Sequence, residues 1–196
     1  PQLTLPKLIN LFRQQPNLNN DSVQLLFLHD WLVWRFTKER VTEMTLVSAG
    51  QMALLKEKVI HFQMLEYFGF SHKLLPLPRN FGTKIGKLDS KVKQNLAKSW
   101  ENTIINVGGG DSHFLHMGAS ANKLGTLVVS AGSSTPISLL SNSLGYSTLL
   151  KPWKSTSFDS QKNLLEGNLG YPGTFYGWLK NNVTTPLSET TLDLNS

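Results

Sequence analysis

The sequence of 196 residues predicts a mixed α/β fold, on three observations. Apolar residues in the first third of the chain recur at helical spacing. After Ser99 this periodicity gives way to short β-branched runs that are typical of strands. Between the first of these strands and the next helix lies a glycine-rich turn, an arrangement that often carries function at the turn.

The first half of the chain is predicted to be largely helical. Four helices and one irregular connection are expected: a helix over 5–12 that ends at Pro16, a helix capped by Asp21 or Ser22 that continues through Arg35, a helix over 56–70 that stops at Gly69, an irregular connection over 74–86, and a short helix around 90–99.

The second half is predicted to alternate strands, turns and helices. In chain order we expect a buried strand over 102–107, a helix from Asp111, strands over 125–130 and 137–140, a surface loop over 141–160, a helix near Thr174 and a fraying tail over 184–196.

Composition and charge exclude several classes of partner. The net charge is +6, but the lysines are scattered, and Asp89 interrupts the densest group of them, as on a solvated helix face. This pattern argues against a nucleic-acid partner, which would favour a clustered basic patch. No stretch approaches the roughly 20 apolar residues that cross a bilayer. The chain has no Cys, which excludes disulfides and thiolate sites and is compatible with a cytoplasmic location.

The motif Gly108-Gly109-Gly110-Asp111 is the first candidate for chemistry. Three glycines permit close approach of the backbone to a ligand and supply unhindered N–H donors. Asp111 begins a predicted helix, whose dipole favours the ionised carboxylate. Such a carboxylate can accept a proton from an attacking hydroxyl in phosphoryl transfer. The alternative is structural, because glycine turns that end in Asp are also common helix starts.

The segment from Ala131 to Thr135 is the second candidate. Gly132, Ser133 and Ser134 lie between two predicted strands, where N–H and O–H groups can bind phosphate oxygens. An ordinary β-turn uses the same residue types, so that interpretation stays open. The chain contains no GxxxxGK[ST] motif, which excludes a P-loop protein.

The histidines give weaker signals. His113 and His116 lie three residues apart on a predicted helix, a spacing that metal pairs can use. No other histidine is near them in sequence, so packing or capping is favoured. His29 and Asp30 are expected to form a polar contact beneath a helix.

Five segments in order resemble the FGGY family of carbohydrate kinases. They are TLPKLINLFRQQ, LFLHDWLVWRFTKERVTEMTLVSAGQM, HFQMLEYFGFSHKLLPLP, INVGGGDSHFLHMGA with LGTLVVSAGSSTPI, and LLEGNLGYPGTFYGWLK. The chain departs from the family pattern at four positions: Asn10 stands where many members have Trp, Glu43 where Asp is common, Ser133 where Thr is usual, and Gly177 where some members have a polar side chain. Ser133 keeps the hydroxyl group.

The resemblance implies an actin-like, ribonuclease H-like ATPase fold, present in part. Residues 1–122 would be the end of a sugar-binding domain and residues 123–196 the start of a nucleotide-binding domain. The family's catalytic base maps onto Asp111, with Gly110 beside the substrate. Its nucleotide-binding positions map onto Gly132, Ser133, Ser134 and Gly173.

The activity implied is transfer of a phosphoryl group from ATP, with Mg²⁺, to a sugar or polyol. Among these substrates, the GGGD motif favours a xylulose-like ketose. The chain resembles an internal fragment, because the family's N-terminal phosphate loop and C-terminal adenosine site have no counterpart in it. We therefore expect the fragment alone to be inactive, with exposed apolar surface that is compatible with a homodimer. The alternatives are a non-catalytic member that binds a sugar or nucleotide as a regulator, and a structural helical module.

Overall fold

The computed structural model describes residues 3–145, 152–159 and 161–183, and in them the mixed α/β fold is confirmed. The helices are α1 (Thr4–Gln14), α2 (Leu28–Thr37), α3 (Met44–Ala49), α4 (Phe62–Tyr67), α5 (Ser90–Lys93), α6 (Asp111–Gly118) and α7 (Pro172–Asn182). The strands are β1 (Ala53–Leu54), β2 (Val59–Ile60), β3 (Lys84–Lys87), β4 (Ile104–Asn106), β5 (Leu127–Val129), β6 (Pro136–Ser141), β7 (Trp153–Thr156) and β8 (Asn163–Asn168).

Helix α1 confirms the first predicted helix. Its apolar face buries Leu5, Leu8 and Phe12, as the helical spacing requires. This face joins the main apolar core, whose other buried members are Val47, Met52, Ile60, Leu65, Phe70, Leu74 and Leu75.

The start predicted for the second helix is wrong. Residues 23–27 form no helix or strand, and α2 begins only at Leu28. The N–H of Leu25 donates to the carbonyl of Leu74 at 2.7 Å, and Leu25 and Phe27 pack against the core. These tertiary contacts replace the helical turn that the capping residues favour.

The third predicted helix is much shorter than expected. Val59 and Ile60 form β2, which pairs with β1, and the helix is confined to α4. The ring of His61 starts it by accepting a hydrogen bond from the N–H of Met64 at 3.2 Å. The predicted stop is confirmed, since Gly69 has a φ of +74°, which glycine adopts without strain.

Two further expectations in the middle of the chain need correction. The helix predicted around 90–99 is a single turn, α5, followed by a separate 3₁₀ turn at Lys98–Trp100. The strand predicted over 102–107 is present as β4, but Ile104 is 46% exposed. Among the described residues β4 pairs only with β3, so it is not the buried strand that its β-branched residues suggested.

The second half of the described chain contains a four-stranded antiparallel sheet in the order β5-β6-β8-β7. The strands predicted over 125–130 and 137–140 are confirmed as β5 and β6. Strand β7 lies in the segment predicted as surface loop, and β8 in a segment for which no strand was predicted. Ser155 and Thr156 are buried in β7. The prediction was wrong because polar residues of this kind suggest an exposed loop. The predicted tail, and residues 146–151 and 160 of the predicted loop, lie outside the described residues.

Helices α3 and α6 pack against this sheet. The hydroxyl of Ser48 at the end of α3 accepts a hydrogen bond from the N–H of Thr156 at 3.1 Å. The N-terminal and C-terminal parts of the chain are therefore joined by buried polar contacts close to the glycine-rich turn.

Candidate active site

The first glycine of the turn is held by a histidine from another part of the chain. The N–H of Gly108 donates to Nε2 of His29 at 3.0 Å. Because an amide nitrogen can only donate, Nε2 must accept, and the ring proton lies on Nδ1. Nδ1 lies 3.1 Å from Oδ1 of Asp30, whose side chain is fully buried. The predicted polar contact of His29 and Asp30 is confirmed, and it extends to the glycine turn.

The third glycine is held in a similar way by a threonine. The N–H of Gly110 donates to Oγ1 of Thr45 at 2.9 Å. The Thr45 hydroxyl in turn donates to the carboxylate of Glu43, which also accepts the N–H of Thr45 at 2.8 Å. Glu43 is 4% exposed. Burial raises the pKa of Glu43, and the hydrogen bonds from Thr45 oppose that rise.

The glycine turn has no room for side chains. A Cβ at Gly108 would lie 2.6 Å from Nε2 of His29, and a Cβ at Gly110 would lie 2.8 Å from Nδ1 of His113. At Gly109 a Cβ would lie 2.8 Å from Cζ of Phe158. The expectation that all three glycines supply unhindered N–H donors is therefore wrong: two of the N–H groups are used within the protein, and packing requires the glycines.

Asp111 is the first residue of α6, directly after this packed turn, and its side chain is exposed. Within the described residues its carboxylate has one hydrogen bond, from the N–H of Ser112 at 2.8 Å. Asp111 lines an open groove of about 530 Å³. Ser130 and Pro136, the two residues that bracket the hairpin, line the same groove.

The hairpin itself differs from the glycine turn in its hydrogen bonding. It is closed at its base by the N–H of Ser130, which donates to the carbonyl of Pro136 at 3.0 Å. Gly132 and Ser133 are exposed and Ser134 is half-buried. Among the described residues, none accepts a hydrogen bond from the N–H groups of these three. The hairpin therefore leaves its three N–H groups without a partner among the described residues, whereas the glycine turn uses two of its three.

Gly173 lies against the hairpin. A Cβ at Gly173 would lie 2.8 Å from the carbonyl carbon of Gly132 and 3.1 Å from Cα of Ser133. The hydroxyl of Thr174 donates to the carbonyl of Ser133 at 3.3 Å. The structure thus brings together the backbones of Gly132, Ser133 and Gly173, which the sequence had grouped only through family resemblance.

The two histidines of α6 hold the helix on the sheet. His113 lies 2.6 Å from the carbonyl of Thr156 through Nε2, which must donate, and burial lowers the pKa of His113 to about 4. His116 lies 2.7 Å from the hydroxyl of Ser138 through Nε2. These contacts agree with the packing role that the sequence favoured over metal binding.

The described side chains would hold a metal ion only together with phosphate oxygens and waters. The described part of the chain holds no group of three His, Asp or Glu side chains arranged for a metal ion. Mg²⁺ in nucleotide sites is typically bound by one or two carboxylates together with phosphate oxygens and waters. Asp111, which lines the groove, would supply one such carboxylate. The exposed donors of Gly132, Ser133 and Ser134 fit phosphate oxygens.

Three residues of this site could not be identified from the sequence: Thr45, Glu43 and Phe158. Thr45 lies 65 positions from Gly110, and no local pattern links them. Glu43 was noted only as a departure from a family pattern. A second pocket, of about 300 Å³ and largely apolar, lies beside Phe158 and Met117, and none of the predicted site residues lines it.

Comparison with known proteins assigns the family. The profile of the FGGY family of carbohydrate kinases, N-terminal domain, matches residues 1–118. The chain belongs to this family. YoaC of Bacillus subtilis (strain 168), whose name places it among sugar kinases, is 28% identical over 174 residues, which are 89% of this chain and 35% of YoaC.

Solved structures give the fold. Gluconate kinase from Lactobacillus acidophilus has a TM-score of 0.79 at 16% identity and covers 95% of this chain and 37% of its own. Glycerol kinase from Plasmodium falciparum with ADP has a TM-score of 0.77 at 19% identity and covers 90% of this chain and 36% of its own. The predicted actin-like, ribonuclease H-like fold is confirmed in partial form. The chain spans about a third of the length of these relatives.

The described helices also bear on membranes. None of them combines the length and apolar character required of a transmembrane helix.

Proposed function

We propose that the full-length protein containing this chain transfers a phosphoryl group from ATP to a hydroxyl of a sugar or polyol. Family membership supports the kinase class. The observation that carries the proposal is the groove that Asp111, an exposed residue, lines together with Ser130 and Pro136, the residues at the two ends of the hairpin. A carboxylate and a set of unused anion donors thus lie on adjoining elements.

In this proposal Asp111 is the general base. Its carboxylate accepts the proton of the attacking hydroxyl as the oxygen bonds to the γ-phosphorus of ATP, while the bond from that phosphorus to the bridging oxygen breaks and ADP leaves. Gly110, one residue earlier, forms the wall beside the substrate. When bound, ATP supplies the phosphoryl group and Mg²⁺ offsets the charge that develops on it.

The hairpin would hold the phosphate end of the nucleotide. Gly132, Ser133 and Ser134 offer N–H groups without partners among the described residues, and Ser133 and Ser134 add hydroxyls. Amide and hydroxyl donors in a turn of this kind can bind phosphate oxygens. Gly173 keeps α7 close to the hairpin, which places the start of that helix beside the same nucleotide.

Several finer assignments belong to the same proposal. Residues 1–122 and 123–196 would belong to the sugar-binding and nucleotide-binding domains, and the resemblance around the GGGD motif favours a xylulose-like ketose as substrate. We also propose that the protein is cytoplasmic, forms a homodimer, and has no nucleic-acid or membrane partner. The isolated chain, about a third of its relatives' length, would lack activity.

Replacing Asp111 by Asn tests the role of the base. In the full-length protein, Asp111→Asn keeps the shape and the acceptor oxygen for Ser112 but removes the basic carboxylate. We expect sugar-dependent ADP formation to fall roughly 10²- to 10⁴-fold, the contribution of a positioned general base. ATP affinity, measured by calorimetry in the absence of Mg²⁺, is expected to stay within about twofold, because without the metal the base makes no nucleotide contact in this proposal.

Asp89→Asn is the matched control. Asp89 also stands at a helix start and accepts a hydrogen bond from its own helix, at the N–H of Lys91, and Asn caps a helix equally well. This variant should keep full activity. Near-normal turnover of Asp111→Asn would end the assignment of the base. If the wild type bound a sugar or nucleotide but formed no ADP from ATP with any sugar, the non-catalytic alternative would be favoured.

A further inference from the structure

The glycine turn is held at both ends by side chains from distant parts of the chain. The N–H of Gly108 is bound to His29, and the N–H of Gly110 is bound to Thr45. The second of these bonds lies one residue before Asp111. The backbone that leads to the carboxylate is therefore fixed by two hydrogen bonds on either side of Gly109.

Each of the two acceptors is itself held in one orientation. His29 is fixed through its Nδ1 proton by Asp30, which is fully buried. Thr45 is fully buried, and its hydroxyl proton is committed to Glu43. A hydroxyl whose proton has a fixed partner presents its lone pairs in a fixed direction. Both acceptors are therefore preset before any substrate arrives.

Neither His29 nor Thr45 lines the groove that contains Asp111. Neither is therefore placed to contact a substrate that binds in that groove. Their effect on chemistry would pass through the backbone alone, because the hydrogen bonds determine where α6 begins and hence where its first side chain projects.

We propose that His29 and Thr45 are positioning residues for Asp111, holding the glycine turn so that the carboxylate stays aligned with the attacking hydroxyl. This inference rests on the proposed function. Catalytic groups displaced by about 1 Å can lose roughly 100-fold in rate. A loosened turn should therefore lower kcat and leave nucleotide binding at the hairpin unchanged.

The decisive comparison uses three substitutions at two threonines in the full-length protein. Thr45→Val keeps the shape of the side chain but removes the acceptor for Gly110. Thr45→Ser keeps the hydroxyl. Thr42→Val is the matched control, because Thr42 is equally buried and its hydroxyl has no partner within the described residues. The readouts are kcat per ATP-binding site, KM for ATP and KM for the sugar.

We expect Thr45→Val to lower kcat per site roughly 10- to 100-fold with an unchanged KM for ATP. Thr45→Ser should restore most of the rate, and Thr42→Val should match the wild type. Counting rate per ATP-binding site removes any contribution from unfolded molecules. A kcat for Thr45→Val within about twofold of wild type would overturn the inference.

His29→Phe provides a second measurement if Thr45→Val does not fold. Phenylalanine fills the space of the imidazole but has no lone pair for Gly108, and the same loss of kcat is expected. Failure of the proposed function is a separate result: the wild type would then form no ADP with any sugar, or Asp111→Asn would stay active. If Thr45→Val and His29→Phe both kept their activity while Asp111→Asn lost it, the positioning role would be wrong and the proposed function would stand.

Discussion

The imidazole of His113 lies at the junction of α6 and β7, where it is 5% exposed. Its Nε2 donates to the carbonyl of Thr156, while its Nδ1 is buried and has no hydrogen-bond partner among the described residues. Protonation would place a second N–H where nothing accepts it, in addition to burying a charge. Burial accordingly lowers the pKa of His113 from 6.5 to about 4.

This titration predicts a loss of stability in mild acid. Between pH 6.5 and about 4 the unfolded chain binds a proton at His113 that the folded chain does not, so the free energy of unfolding falls as the pH falls. At about pH 5 the loss should be about 2 kcal/mol relative to neutral pH. The thermal unfolding midpoint of the full-length protein, measured at both pH values, reports it.

His113→Gln should flatten that pH dependence, since glutamine can still donate to Thr156 but does not titrate in this range. His72→Gln is the control, because the His72 side chain is 59% exposed, and it should leave the pH dependence intact. An unchanged pH dependence in His113→Gln would contradict the assignment of this loss to the buried imidazole.

At the scale of elements, the contact between α7 and the hairpin depends on Gly173. The two glycines of α7 are well suited to a comparison, because a Cβ at Gly177 would meet nothing within 4 Å. We expect Gly177→Ala to raise the free energy of unfolding by about 0.5–1 kcal/mol, the usual gain over glycine inside a helix.

Gly173→Ala should instead lower the free energy of unfolding by about 1–3 kcal/mol, because the new methyl group overlaps the backbone of Gly132. Urea unfolding measures both variants. Amide exchange at Thr174, whose N–H donates to the carbonyl of Ser133 at 3.4 Å, should accelerate in Gly173→Ala only. Equal shifts in the two variants would show that α7 does not rest on the hairpin as described.

The elements that the sequence predicted correctly are those with a local signal. Helix α1 has a regular apolar face, and the start of α6 and the hairpin have glycine punctuation. In the second predicted helix, Leu25 is instead hydrogen-bonded to Leu74, far away in sequence. Strand β7 was missed because Ser155 and Thr156 are buried polar residues, whose partners only the folded chain supplies.

The candidate site divides in the same way. Asp111 and the Gly132–Ser134 hairpin could be named from the sequence because family resemblance marks them. The environment of the glycine turn could not, since Thr45 and Phe158 reach it from distant positions through tertiary packing. The purpose assigned to the glycines was wrong for this reason: close neighbours within the protein, and not an approaching ligand, exclude their side chains.

At the scale of the whole molecule, α7 presents an apolar surface. None of its residues is buried, and Phe175, Tyr176 and Trp178 are all exposed. The rings of Phe175 and Trp178 stack with centroids 6.0 Å apart. Exposed apolar clusters of this kind favour association.

We therefore expect the 196-residue chain to self-associate through α7 as its concentration rises. Trp178→Glu should shift sedimentation velocity profiles towards a single chain, because a charge opposes burial of the helix face. Tyr67→Glu, at an 83% exposed position outside α7, should leave association unchanged. An equal effect of both variants would point to net charge instead of this surface.

The crowding around Gly108, Gly109 and Gly110 also bears on how sequence variation at this site should be interpreted. Any larger residue there would collide with His29, Phe158 or His113, so packing by itself would select against substitution. Invariance of these glycines among relatives would consequently not by itself indicate contact with a ligand. An evolutionary trace of the reaction itself should be sought at Asp111, whose surroundings leave room for other side chains.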